Sequence, residues 1–127
     1  MTWTYDLRAG EWTIEDTVTP DLPVGAYLSP WGRAVYDETA RRSVITADGV
    51  VAGYDAARHE WEILSSFSGG VTGPKQGCTT VYDPTSGRII AIGGSAQILD
   101  NWVEMNDVWA FNTGTGTWSE LLAQSTP

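Results

Sequence analysis

The side chains able to carry chemistry are few and scattered. His59 is the only histidine and Cys78 the only cysteine among 127 residues. Nucleophilic catalysis needs a Ser or Cys within reach of a base and a third group that orients the base. No nucleophile motif lies near His59, which falls in a predicted tight turn and reads as a solvated turn residue. Cys78 has no second cysteine to pair with and no companions at metal-ligand spacing. Beside Gly77, at the start of a predicted strand, it reads as a small buried apolar residue. Glu15-Asp16 and Asp37-Glu38 are residue types found in glycosidase dyads and calcium sites, yet no Asp-rich loop has EF-hand spacing. Gly93-Gly94-Ser95 is followed by neither Gly-Lys-Ser/Thr nor a predicted helix, so it is not a phosphate cradle. We therefore expect no catalytic residues, no metal and no cofactor.

Composition narrows the partners. Lys and Arg number 7 against 16 Asp and Glu, a net charge of −9. Such a chain repels phosphate backbones and has no basic patch to release counterions, which argues against nucleic acid and anionic membranes. Apolar runs are only a few residues long, and the N-terminus has neither a basic nor an apolar leader segment. The expectation is a soluble chain without its own export signal, with the cytoplasm favoured. A hydrophobic content of 42% is enough for a real core. Seven Trp against two Phe is unusual, and points to one packing position used repeatedly.

The elements that hold these residues repeat. Tyr5-Asp6, Tyr54-Asp55 and Phe111-Asn112 each precede a tryptophan, Trp12, Trp61 and Trp118, that follows seven residues after the aromatic. Each unit predicts a β-hairpin: the Asp or Asn side chain caps a short turn and Trp opens the return strand. A second repeat precedes the last two hairpins, Val35-Tyr36-Asp37-Glu38-Thr39 and Val81-Tyr82-Asp83-Pro84-Thr85. After the second of these, Arg88 to Gly94 is nearly continuous in apolar residues, as suits a strand buried on both faces. Its counterpart, Arg42 to Gly49, aligns with a one-residue gap, so the middle unit is a degenerate copy. The chain thus reads as strands c-d, then a-b-c-d, then a-b-c-d.

The hairpins recur at 49 and 57 residues, near the roughly 50 of kelch units. The apolar run ending in Gly93-Gly94, then Asn106-Asp107-Val108-Trp109 leading to the aromatic, turn and Trp, resembles the kelch motif. The resemblance implies an all-β fold of kelch-type β-propeller blades, four-stranded antiparallel up-and-down sheets, with an incomplete ring per chain: a half blade over residues 1–16, a second blade over 33–66 and a third over 78–122. The glycine pair is expected to let neighbouring blades pack closely. Kelch propellers serve as protein-binding domains, scaffolds and sometimes enzyme domains; the copper oxidases among them need a Tyr, His and Cys cluster that one histidine cannot supply.

Two and a half blades leave apolar faces and a strand edge uncovered, so self-association into a ring is expected. The a–b and c–d turns share one end of the blades. The b–c and d–a connections share the other, with long loops expected over 15–32, 65–77 and 95–106, and binding residues concentrate on such loops. The candidates there are Trp31, Arg33, Lys75, Asp100, Trp102 and Glu104. The leading expectation is a non-enzymatic binding or scaffold module, with further copies of itself, and a protein or a glycan, as partners. The alternatives are a carbohydrate-active or hydrolytic propeller using Asp100, Glu104 and Trp102, or a structural segment of a longer propeller.

Overall fold

In the computed structural model of the chain, residues 1–17, 20, 32–47, 50–66, 73 and 75–123 are described. All the regular structure among them is β. A two-stranded sheet comes first, from β1 (Thr2–Asp6) and β2 (Glu11–Glu15). A four-stranded sheet follows, from β3 (Arg33–Asp37), β4 (Arg42–Ala47), β5 (Val50–Asp55) and β6 (Glu60–Ser66). A second has β7 (Thr79–Asp83), β8 (Arg88–Ile98), β9 (Asn101–Asn112) and β10 (Thr117–Leu122). Strands pair antiparallel in sequence order, the up-and-down meander of a propeller blade.

Five tight turns are built on one plan. The residue after the aromatic is Asp6, Asp37, Asp55, Asp83 or Asn112. Its Oδ1 accepts a backbone N–H two residues on in every case, and a second one three residues on in all but Asp83, where the Ser86 hydroxyl donates to Oδ2 instead. This is the local capping that makes Asp and Asn turn formers. The fifth residue after the aromatic closes each turn with a positive φ: Gly10, Arg41, His59, Gly87 and Gly116. An L side chain is disfavoured there by roughly 1–2 kcal/mol, so Arg41 and His59 are the two turns held against local preference.

The core lies between the sheets. Tyr82, Ile89, Phe111 and Trp118 stand in one row across β7, β8, β9 and β10. That row packs on the face of the preceding blade that carries Val35, Val44, Val51 and Leu64, and Val44, Val51, Ile89 and Phe111 are wholly buried. Each such side chain contributes about 1.5–3 kcal/mol by leaving water. Polar bonds stitch the same seam at its turn end: Thr39 Oγ1 to the Tyr82 hydroxyl at 2.5 Å, Arg42 Nη2 to the Thr113 carbonyl at 3.1 Å, and Thr113 Oγ1 to Asp37 Oδ2 at 2.5 Å. The β1–β2 hairpin seats on the next blade in the same way, with Trp61 Nε1 donating to Thr2 Oγ1 at 2.8 Å and His59 Nδ1 2.8 Å from a Glu15 carboxylate oxygen. His59 is therefore a seam residue as well as a turn residue.

Two expectations are corrected. Residues 95–106 do not form a loop: β8 and β9 run on to Ile98 and Asn101 and pair as far as the tip. Sequence alternation was masked there because the connecting pair is Leu99-Asp100 rather than Asn-Gly, although both residues take the positive φ of a two-residue hairpin turn, 45° and 64°. Nor do the two glycines serve contact between blades. Gly93 and Gly94 sit at a bulge in the β8–β9 register, and a Cβ on Gly94 would lie 2.6 Å from the Gln76 carbonyl and 2.9 Å from the Cys78 nitrogen. Gly94 admits the segment that leads into β7 of the same blade, and Gly93 faces the Met105 carbonyl of β9. Asp48-Gly49, expected to match this pair, lies outside the described residues.

The turn plan gives two predictions. Replacing Arg41 by Gly should raise stability by about 0.5–1 kcal/mol, because relief of left-handed strain exceeds the extra chain entropy of Gly. Gly116→Ala should lower it by more than about 2 kcal/mol, since the new Cβ meets the Leu64 carbonyl at 2.6 Å; thermal unfolding of both variants checks the pair. The second prediction concerns acid. The Ala9 and Arg8 N–H groups hold the Asp6 carboxyl below its ordinary 3.8, and the Ser86 hydroxyl with the Thr85 N–H does the same for Asp83. A depressed folded-state pKa gives stability that is present above the ordinary value and lost as pH falls through the folded one. Urea midpoints should thus be level down to about pH 4 and drop below it, and less so in an Asp6→Asn, Asp83→Asn double variant.

Candidate interaction site at the b–c end of the blades

The β8–β9 hairpin projects past the neighbouring strands, and two chemistries meet along it. At its base, Gln76 and Ser95 exchange backbone hydrogen bonds of 3.2 and 2.9 Å, which ties the segment before β7 to β8. Just inside this tie, Lys75 and Asp107 form an ion pair at 3.1 Å with both side chains 2% exposed. The Lys75 ammonium also donates to the Gly73 carbonyl and lies 5.2 Å from the centre of the Trp109 ring. Trp109 Nε1 in turn donates to Asp107 Oδ2 at 2.7 Å. Such a pair is kept because each partner compensates the other's lost hydration.

At its tip the hairpin is apolar and exposed. Leu99 is 90% exposed and Trp102 57%, with Ile98 and Val103 partly exposed beside them. Trp102 pairs with Gln97 and Glu104 with Ser95, so Trp102 and Glu104 share a face of the ribbon. Asp100 occupies the turn itself, where Asn101 Nδ2 donates to the Leu99 carbonyl at 3.0 Å.

The six candidate residues thus separate. Asp100, Trp102 and Glu104 come together on the projecting hairpin. Lys75 is committed to the buried ion pair, which removes it from any surface. Arg33 is half-buried at the start of β3, with Nη1 3.4 Å from the Gly32 carbonyl, and Trp31 lies outside the described residues. So do most residues of the two proline- and glycine-rich connections. Leu99, which is not among the six candidates, is the most exposed apolar side chain of the tip. A two-residue link between alternating stretches was its signal, obscured by poor turn formers.

One residue of each acidic pair is used structurally. Asp37 is fully buried with both carboxylate oxygens bonded, and Glu15 accepts from Thr4 and faces His59. Cys78 is buried, and burial pushes its thiol up while Arg33 and Lys75 pull it partly back. Among the described residues no three His, Cys, Asp or Glu side chains are grouped to hold a metal ion. No helix among them is long and apolar enough to cross a membrane.

Removing one partner of the buried pair leaves the other charge uncompensated. Lys75→Ala should cost about 3–5 kcal/mol in chemical denaturation, and a Lys75→Met, Asp107→Leu double variant should recover most of that loss.

Residues 85–121, from the turn before β8 to β10, match the family model of the kelch motif. No curated protein matches the chain. The matched motif lies in a four-stranded blade, a second blade of the same plan stands beside it and the aromatic–turn–tryptophan hairpin occurs three times, an arrangement similar to that of kelch repeats.

Proposed function

We propose that this chain is a non-enzymatic protein-interaction module that engages its partner through the b–c end of the blades, and that further copies of the chain complete its blade stack. The observation that carries the first part is the exposed apolar tip of the β8–β9 hairpin. Leu99 holds a left-handed conformation disfavoured for its type, and yet its side chain is turned to solvent rather than into the core. Strain of this kind persists where the surrounding structure over-determines it, here the long paired ribbon. An aromatic with a nearby aliphatic on a rigid support suits the anchor of a protein interface. Asp100 and Glu104 flank Trp102 and would favour a partner with complementary positive charge at the rim.

Leu99→Ala and Trp102→Ala should each leave stability within about 0.5 kcal/mol, as surface substitutions do, while abolishing recovery of a cross-linked partner that the unaltered chain retains. Partner capture that survives both changes would overturn the hairpin as the contact. Glycan binding or turnover lost on Glu104→Gln would replace this reading with a carbohydrate-active one.

A further inference from the structure

The self-association in the reading above can be given faces. The aromatic pair of each c–d hairpin has one geometry in all three copies, with ring centroids 5.0, 5.0 and 4.8 Å apart for Tyr5–Trp12, Tyr54–Trp61 and Phe111–Trp118. In the second and third copies a preceding blade covers the first ring of the pair, and Tyr54 and Phe111 are 7% and 0% exposed. Tyr5 is 46% exposed, and Trp3 and Trp12 on the same face are more so. The complementary face shows the converse. Val35 and Leu64 of the second blade pack into the seam, whereas Val81 and Leu121, which hold the same places in the third, are half exposed.

The polar part of the seam has counterparts too. Arg42, six residues after Tyr36, donates to the carbonyl of Thr113, two residues after Phe111. Arg88 follows Tyr82 by six and Leu7 follows Tyr5 by two. At the closest backbone approach of the inner seam, Gly116 faces the Leu64 carbonyl. The corresponding residue of the first hairpin is Gly10, which also lacks a side chain to obstruct Leu121. Both halves of a contact that the chain makes internally are thus present, uncovered, at opposite ends of its blade stack.

Resting on the proposal that copies associate, we propose that the Val81–Leu121 face of one copy seats the Tyr5–Trp12 face of a second, with Arg88 donating to the Leu7 carbonyl across the junction. Repeated twice, this head-to-tail contact closes a pair of chains into a ring. A pair is the smallest ring that a head-to-tail contact can close.

Sedimentation of the whole chain across a concentration series tests the contact. The unaltered protein should sediment as two chains, and Trp12→Asp, Leu121→Asp and Arg88→Ala should each raise the dissociation constant at least tenfold with an unchanged circular dichroism spectrum. Trp102→Ala should leave the pair intact. Mixing Trp12→Asp with Leu121→Asp should restore association through the one junction in which both faces are unaltered, which neither variant achieves alone. A pair indifferent to all three substitutions, or a mixture that stays monomeric, overturns these faces while leaving self-association standing. A monomer at every concentration overturns both, and leaves partner binding by the hairpin untouched.

Discussion

A blade of this protein cannot bury its own apolar surface. Each sheet is one layer thick, so Val44 and Val51 leave water only because Ile89 and Phe111 of the next blade arrive opposite them. The remaining features follow from the need to bring two faces together in one register. A row of side chains running straight across four strands, Tyr82 to Trp118, forms one complete wall of the seam. Capped turns stop the strands at a common level, and the bonds from Asp37 and Arg42 to Thr113 lock that level between blades. Satisfying Asp37 at once by two backbone N–H groups of its own turn and by a neighbour's hydroxyl couples local turn formation to blade stacking.

A second constraint acts within the third blade. The segment carrying Lys75, Gln76 and Cys78, which follows the outer strand of the second blade and leads into the inner strand of the third, lies against the β8–β9 bulge. The glycine bulge makes room for it, the Gln76–Ser95 exchange fixes its register, and the Lys75–Asp107–Trp109 group anchors it in the interior. The same bulge re-aims β8 and β9, so that the paired ribbon continues outward as the exposed hairpin. The firmest polar contacts of the blade and its most accessible apolar side chains therefore lie on one continuous pair of strands.

The fold was legible in the sequence because its signals are local and repeated. The spacing from aromatic to tryptophan, the Asp or Asn beside each aromatic and the Asp83 to Gly87 turn all report conformations set within a few residues. The site was less so, for a physical reason in each instance. Leu99-Asp100 adopts a turn that its residue types disfavour, and only the length of pairing on either side enforces it. Lys75 looks like a surface cation until Asp107 is brought to it from 32 residues away. The glycine pair is a clear signal of close approach, but a sequence does not say what approaches. Trp102 and Glu104 lie on one side of the ribbon because alternation along a strand places residues two apart on the same face wherever the ribbon points.

The residue that closes each c–d turn also touches the preceding blade, and it differs in every copy that has a covered seam. At the junction of the first two blades His59 reaches Glu15; at the next, Gly116 leaves only enough space for the Leu64 carbonyl. Neighbouring blades are consequently not interchangeable parts. An imidazole carried to position 116 would be driven into backbone, and a glycine at 59 would remove the imidazole that Glu15 faces. The order of blades is thus written in their turns, and recombination among such repeats meets a steric and electrostatic check at the seam before any ligand is involved.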